Sequence, residues 1–240
     1  MDLLQLSLVT GTIDRRDSFY RLLDSVVRCT DVPWEMVVAD ASSECYAANC
    51  HPQARVFEER PRLGYVRAYN RCFAECLGEW VLFLNDDAEV TPGYAGSAIR
   101  FMQRHTGIGL GALHYCDGPG SEFRVNSAWG TIYANFGIMR RSVGAAVGWF
   151  DPDLEMYGSD NSLALRMLMK GYGVADIPEA RIIHHSVQDD TRKANQKTRA
   201  KDNQTLTRKY MPYRSKWTQT FNNLKVKTGT IPWSHGVRPR

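Results

Sequence analysis

The chain has 240 residues, 43% of them hydrophobic and 23% charged, which is the composition of a soluble globular protein with one sizeable core and room for an appendage. Its formal charge of +4 is unevenly divided, because the 192–240 segment holds thirteen Lys or Arg and a single acid, Asp202. No apolar run approaches the roughly 18 residues of a membrane helix and the opening sequence lacks signal-peptide features, so we expect a cytoplasmic protein, or one peripheral to a membrane.

Strands and helices alternate along the first part of the chain. The expected order is strand "LQLSLVTG", helix "RDSFYRLLDSVVRC" with Asp17 as its cap, strand "WEMVVADAS", short strand "ARVFEE", helix "GYVRAYNRCFAECLG" closed by Gly78, and strand "EWVLFLNDD". This alternation predicts an α/β protein with a parallel sheet. The charge boundary divides it into a core domain, 1–191, and a basic, aromatic-containing extension, 192–240, packed on or adjoining that domain.

Polar residues stand at the ends of three predicted strands, namely Thr10-Gly11, Asp40 and Asn85 to Asp87. In open α/β sheets, ligands gather at the carboxyl ends of strands, so these residues can converge in one crevice. Two adjacent carboxylates repel each other, and a metal ion, basic partners or full solvation must offset the repulsion. A solvated turn is the alternative, because Asp and Asn are ordinary turn residues.

Other familiar motifs are incomplete. The sequence "GIGLGA", Gly107 to Ala112, is not the dinucleotide fingerprint and lies at or within an apolar strand, and no P-loop sequence is present. This argues against a P-loop NTPase or a nicotinamide dehydrogenase. Among the six cysteines, Cys72 and Cys76 stand one helical turn apart in place of paired zinc-site spacing, so we expect structural, reduced thiols.

Four segments appear in a characteristic order: "VVADAS", "RLGYVRAYNRCFAECLGEWVLFLNDDAEVTPGY", "NFGIMRRSVGAAVGWFDPDLEMYGSDNSLALRMLMKGY" and "IPEARIIHHSV". Over roughly residues 3–212 the chain thereby resembles the family 2 glycosyltransferases, which are inverting enzymes with the GT-A fold. The resemblance implies a Rossmann-like α/β fold with a mostly parallel central sheet flanked by helices, to which the basic C-terminal extension is added.

The resemblance also implies a donor site. Asp40 would contact the nucleotide base, although Ala39 and Ala41 depart from the family's D-D-G-S form. Asp86 would support the donor sugar or ribose, and Asp87 would bind a divalent cation, Mn²⁺ or Mg²⁺, together with His184. Such hard ions take oxygen ligands and bridge to phosphate oxygens, so few protein carboxylates are needed. The other implied donor-binding residues are Thr10, Gly11, Arg62, Gly64, Arg67, Asn70 and Asn85.

The catalytic base implied by the resemblance is Asp160. Ser159 and Ser162 stand where the family keeps acidic residues, so Asp160 alone survives of that group. It would cap the predicted helix "NSLALRMLMKG", where the helix dipole favours an ionised carboxylate. A plain capping role is the alternative reading, and the two roles are compatible.

The function expected from these residues is inverting transfer of a sugar from a nucleotide diphosphate sugar, UDP-linked, to a hydroxyl of a glycan or lipid-linked acceptor. The alternatives are a sugar-phosphate nucleotidyltransferase, a transferase acting on a modified nucleic-acid base, and an inactive binding module. The extension alternates basic residues with aromatic ones and would engage the acceptor, an anionic membrane surface or nucleic acid. The sequence leaves the donor sugar, the acceptor and the oligomeric state open.

Overall fold

A computed structural model describes residues 4–128, 131–187, 190, 193 and 196–210. The strands are β1 (Leu6–Thr12), β2 (Trp34–Asp40), β3 (Ala54–Glu58), β4 (Trp80–Phe83), β5 (Ala88–Val90), β6 (Ile108–Asp117), β7 (Asn126–Ala128), β8 (Thr131–Tyr133), β9 (Gly137–Arg140) and β10 (Gly173–His184). The helices are α1 (Arg16–Cys29), α2 (Tyr65–Glu75), α3 (Tyr94–Arg104), α4 (Arg141–Val147), α5 (Ser159–Met169) and α6 (Arg199–Tyr210).

The central sheet has eight strands in the order β3-β2-β1-β4-β9-β6-β10-β5, and β7 and β8 form a separate hairpin. Strands β3, β2, β1 and β4 run parallel, as do β6 and β10. Strand β9 is antiparallel to both of its neighbours, and β5 is antiparallel to β10. The predicted α/β fold with a mostly parallel sheet is therefore confirmed.

Helices cover both faces of the sheet, which explains why its central strands are continuous apolar runs. Every residue of β2 and β4 is buried. Helices α1 and α3 contribute to the core on one face, and α2 and α5 contribute to the core on the other. This packing leaves the loops at the carboxyl ends of β1, β2 and β4 to form the site.

The structure corrects three predicted roles at helix ends, although α1 has the predicted bounds. Asp17 lies in the first turn of α1 and makes no capping hydrogen bond, because Arg15 occupies the cap position. Helix α2 ends at Glu75, before Gly78, where a Cβ atom would come within 2.7 Å of the Ser7 backbone nitrogen. Helix α5 starts at Ser159, so Asp160 lies in its first turn and does not cap it.

The described part of the basic extension is helix α6, which packs on the core domain. The Lys209 ammonium lies 2.8 Å from both carboxylate oxygens of Asp151, and the Tyr210 hydroxyl donates to Asp151 Oδ2 at 2.6 Å. Residues 211–240, which carry most of the aromatic residues of the predicted extension, lie outside the described residues. No helix in the described ranges is both long and apolar enough to cross a membrane.

Candidate active site

A cavity of about 280 Å³ opens where β1, β2 and β4 end. Helix-flanked parallel strands direct their terminal loops to this edge, so residues distant in sequence meet there. We call it the donor cavity. Of the predicted site residues, the cavity is lined by Gly11, Arg62, Gly64, Asn85, Asp86, Asp87 and His184.

Asp86 lines the donor cavity and is held by Thr12 at the end of β1 and Arg15 at the cap of α1. The Thr12 hydroxyl donates to Asp86 Oδ2 at 2.9 Å, and Arg15 Nη1 lies 3.2 Å from Oδ1. Burial raises the pKa of the Asp86 carboxyl to about 6, although Arg15 favours the ionised form. Asp86 is thus fixed in orientation before any ligand binds.

Asp87 has the features expected of a metal ligand. Its Oδ1 atom is buried without a well-formed hydrogen bond, while His184 Nε2 lies 3.3 Å away and Arg15 Nη1 lies 3.8 Å from Oδ2. Burial acts to raise the pKa of Asp87, but His184 and Arg15 outweigh burial and hold that pKa below its ordinary value. An ionised oxygen with an unused lone pair beside an imidazole nitrogen fits a divalent cation.

The metal site is not complete within the protein. No group of three or more His, Cys, Asp or Glu side chains in the described ranges could hold an ion by itself. Two protein ligands leave room in the coordination shell, which phosphate oxygens or water would fill. The residues therefore fit an ion that is bound together with a nucleotide diphosphate.

His184 and His185 have different surroundings, although they are adjacent. His184 Nδ1 lies 2.9 Å from Asp117 Oδ1, and burial, which lowers the His184 pKa, is outweighed by Asp87 and Asp117, so that pKa is raised. His185 Nε2 instead lies 2.8 Å from Glu89 Oε2, outside the donor cavity. His184 is therefore the histidine of this pair that faces the cavity.

Four predicted donor-binding residues do not line the donor cavity. Thr10 is buried within β1, and Arg67 is exposed on α2. The Asn70 amide donates to the Phe150 carbonyl and accepts from the Phe150 N–H, both at 2.9 Å. Asp40 is fully buried and accepts from the backbone N–H groups of the following loop at 2.8 and 3.0 Å. In the structure Asp40 and Asn70 hold loops, and the donor contacts of all four residues stay predictions.

A second cavity, of about 430 Å³, adjoins the first, and we call it the acceptor cavity. It lies between the β7–β8 hairpin, the start of α5 and helix α6. Its wall carries Arg199 and Asn203 from α6 together with Tyr133, Asp160 and Asn161. The two cavities share the residues Tyr65, Asn85, Asn135, Met156 and Tyr157. A ligand in one cavity can therefore reach a ligand in the other.

Asp160 is the one carboxylate that lines the acceptor cavity among the residues described. Its Oδ1 accepts from the Asn161 N–H at 2.8 Å. Burial raises the pKa of Asp160 to about 6, and backbone N–H groups offset burial only in part. The neighbouring Asn161 Oδ1 is buried and makes no hydrogen bond. The cavity thus offers a base to a ligand that carries hydroxyl groups.

The two serines that depart from the family pattern make local hydrogen bonds. Ser159 Oγ donates to the Met156 carbonyl at 2.8 Å, and Ser162 Oγ donates to the Ser159 carbonyl at 2.8 Å. The substitutions are therefore accommodated by the start of α5 without loss of Asp160.

The loop that lies between the cavities is held by a carboxylate that sequence reasoning did not assign to the site. Asp202 of α6 accepts the backbone N–H groups of Glu155, Met156 and Tyr157 at 2.8, 3.1 and 2.9 Å. Gly158 follows with a φ of 78°, and a Cβ there would come within 2.7 Å of Leu206 Cδ2. Asp202 is the lone acid of the basic segment 192–240, and this was the sequence signal that could have revealed its role.

Arg15, Tyr65 and Asp117 also belong to the site and were not predicted. Arg15 lies in the short loop between β1 and α1, so its place after a strand end was a usable signal. Tyr65 begins α2 beside the predicted Gly64 and lines both cavities. Asp117 reaches the site only through the pairing of β6 with β10, which no local pattern shows.

Comparison with known proteins places these features in a family. The model of glycosyl transferase family 2 matches residues 7–145. The O-antigen biosynthesis protein RfbC of Myxococcus xanthus is 26% identical over 227 residues, and the match covers 75% of this chain and 17% of RfbC.

Two solved structures show the same fold. The mannosyltransferase PcManGT from Pyrobaculum calidifontis, in complex with GDP-Man and Mn²⁺, has a TM-score of 0.69 and 19% identity, with 94% of this chain and 70% of that chain covered. GalNAc-T7 with UDP, GalNAc and Mn²⁺ has a TM-score of 0.64 and 16% identity, with coverages of 76% and 43%. The chain therefore spans less than half the length of RfbC and of GalNAc-T7.

Proposed function

This chain belongs to glycosyl transferase family 2 and is a glycosyltransferase with the GT-A fold, and from this premise we propose that it inverts the configuration of the sugar it transfers. The donor is a nucleotide diphosphate sugar, UDP-linked, and the acceptor is a hydroxyl group of a glycan or a lipid-linked glycan. The observation that carries the proposal is the pair of adjoining cavities, one with paired carboxylates and one with Asp160 alone.

A single displacement needs one base and no second nucleophilic carboxylate. Asp160 takes the proton from the acceptor hydroxyl as that oxygen forms a bond to the anomeric carbon. The bond between the anomeric carbon and the diphosphate oxygen breaks at the same time, on the opposite face of the sugar. With a pKa raised to about 6, Asp160 is ionised at neutral pH yet basic enough to accept this proton.

The diphosphate belongs in the donor cavity, where the charged groups are concentrated. A divalent cation, Mn²⁺ or Mg²⁺, held by Asp87 and His184 would stabilise the negative charge that grows on the leaving diphosphate. Arg62 lines the same cavity and adds a positive charge. Both similar structures contain Mn²⁺, which supports this assignment.

The acceptor cavity suits a sugar. Tyr133 and Tyr157 provide aromatic surface, and Asn161 and Asn203 provide hydrogen-bonding groups beside Asp160. Aromatic faces with convergent polar groups fix both the position and the orientation of a small polar ligand.

The test is a panel of UDP- and GDP-sugars, assayed for binding by calorimetry and for hydrolysis or transfer with and without Mn²⁺. We expect metal-dependent binding of a UDP-sugar, and NMR of the transferred product should show the anomeric configuration opposite to that of the donor. Retained configuration would overturn the inverting mechanism, and tighter binding of the GDP-sugars would overturn the choice of UDP. Pyrophosphate release from a sugar phosphate and a nucleoside triphosphate would instead establish the nucleotidyltransferase alternative.

A further inference from the structure

A line of alternating charges runs from the surface into the donor cavity along β6 and β10. Arg124 Nη2 lies 2.5 Å from Asp117 Oδ2, and Asp117 Oδ1 lies 2.9 Å from His184 Nδ1. The other ring nitrogen of His184, Nε2, then faces Asp87 Oδ1 at 3.3 Å. Each nitrogen of the imidazole therefore faces a different carboxylate.

The backbone places these side chains together. His184 and Asp117 are direct partners in the parallel pairing of β10 with β6, and the Gly118 N–H donates to the His184 carbonyl at 3.0 Å. The ring is also enclosed by two aromatic rings, with centroid distances of 5.9 Å to Tyr115 and 5.6 Å to Phe136. The imidazole is thus held on two edges, and the Asp117 carboxylate faces Nδ1, where it can accept a proton-bearing N–H.

We propose that Asp117 is a positioning residue of the metal site, which accepts the Nδ1–H of His184 and so directs the Nε2 lone pair toward Asp87. The inference rests on the proposed function, because it concerns the metal that the donor needs. A histidine that binds metal commonly donates its other N–H to a carboxylate, which fixes the tautomer and the ring orientation. Arg124 completes the arrangement by holding the second oxygen of Asp117.

The chain offers a matched control on the same two strands. His114 Nε2 lies 2.9 Å from Asp176 Oδ2, and His114 belongs to β6 while Asp176 belongs to β10. Neither residue lines the donor or acceptor cavity. Asp176→Ala therefore removes a similar aspartate–histidine contact without touching the metal site.

The experiment measures Mn²⁺ affinity in the presence of UDP for the wild-type protein and for Asp117→Ala, Asp117→Asn, Asp176→Ala and His184→Ala. We expect Asp117→Ala to bind Mn²⁺ about 10- to 100-fold more weakly, the range seen when such outer partners are removed. Asp117→Asn, which keeps a hydrogen-bond acceptor without the charge, should fall between Asp117→Ala and the wild type. Asp176→Ala should stay within about twofold of the wild type.

A second measurement separates positioning from general damage to the fold. In the metal-free protein above the pKa of His184, ¹⁵N NMR of the imidazole should show the Nδ1–H tautomer, and Asp117→Ala should lose it. The affinity of metal-free protein for UDP should not change. Unchanged Mn²⁺ affinity and an unchanged tautomer in Asp117→Ala, with affinity lost in His184→Ala, would overturn the proposal. Wild-type protein that binds UDP equally with and without Mn²⁺ would instead overturn the proposed function.

Discussion

Asp87 of the donor cavity and Asp160 of the acceptor cavity are both carboxylates, but their surroundings are opposite. Asp87 lies beside His184 and Arg15, which hold its pKa below the ordinary value. Asp160 is paired with no cation of the described chain, and burial raises its pKa to about 6. A carboxylate that must stay ionised to hold a cation needs positive neighbours, whereas one that must accept a proton near neutral pH needs to lack them.

The first way to break this comparison is Asp160→Asn. Transfer should fall by about 10²- to 10⁴-fold, the contribution of a positioned base, because the amide cannot accept the proton. UDP and Mn²⁺ affinity should not change, since the donor cavity is intact. Steady-state kinetics with calorimetry on the same samples would check both, and near-normal turnover would show that the base lies elsewhere.

The melting temperature tests whether Asp160 is destabilising when it is ionised. The pKa of Asp160 is raised in the folded state, so the protonated form is favoured there and stability falls as pH rises from the unfolded pKa through about 6. Asp160→Asn should therefore have a higher melting temperature than the wild type at pH 8. A lower melting temperature would mean that Asp160 makes stabilising contacts as an anion.

Asp87→Asn should change ligand binding in the donor cavity alone. Without the ionised oxygen, Mn²⁺ should no longer strengthen UDP binding, and we expect the affinity measured with metal to fall by at least about tenfold, or 1.4 kcal/mol. The exposed Asp24 pairs with Arg28 on α1, so Asp24→Asn is the control for loss of one surface charge. Equal enhancement of UDP binding by Mn²⁺ in Asp87→Asn and the wild type would remove Asp87 from the metal site.

The pH dependence of turnover should follow the ionisation of Asp160 in the acceptor cavity. Because Asp160 works only when ionised, kcat should rise with pH to a plateau, with a midpoint near its pKa of about 6. Below that midpoint each pH unit should lower kcat about tenfold. UDP affinity measured over the same range separates this effect from titration of His184. A pH-independent kcat between 5 and 8 would contradict the assignment.

The smallest effect is expected at Asp202, which holds the loop between the cavities. Asp202→Ala leaves three partly buried N–H groups without their acceptor, which should lower the free energy of unfolding by about 1–3 kcal/mol. The KM for the acceptor should rise and UDP affinity should fall, because Met156 and Tyr157 line both cavities. Kinetics and calorimetry would measure these two changes, and urea unfolding would measure the loss of stability. The exposed Asp153 provides the control variant, and an equal loss in Asp153→Asn would make Asp202 an ordinary surface charge.

Local patterns predicted much of this molecule. The apolar run before Asn85 ends at the site as expected, because a buried parallel strand must present its polar end at the sheet edge. The bounds of α1 were predicted correctly, but the capping roles given to Asp17 and Asp160 were wrong, since Arg15 and Gly158 occupy the cap positions. The predicted metal dependence, the individual donor contacts and the acceptor stay predictions.

What the sequence could not show depends on long-range pairing. Asp117 meets His184 through a β6–β10 register that contains an irregularity between Ile177 and Arg181, so counting residues would not find it. Asp202 meets its loop across 45 to 47 positions. Asp40 stands at a strand end as predicted, yet the loop folds back and surrounds its carboxylate.

Asp202 holds the loop between the cavities, and this contact affects the order in which the parts of the site form during synthesis. Strand β10 ends at His184, so the elements that carry the donor cavity have left the ribosome before α6 emerges. At a synthesis rate of about 5–20 residues per second, α6, which forms part of the acceptor cavity, is completed roughly a second or more after β10. During that interval the loop of residues 155–157, part of which lines both cavities, lacks the carboxylate that holds it.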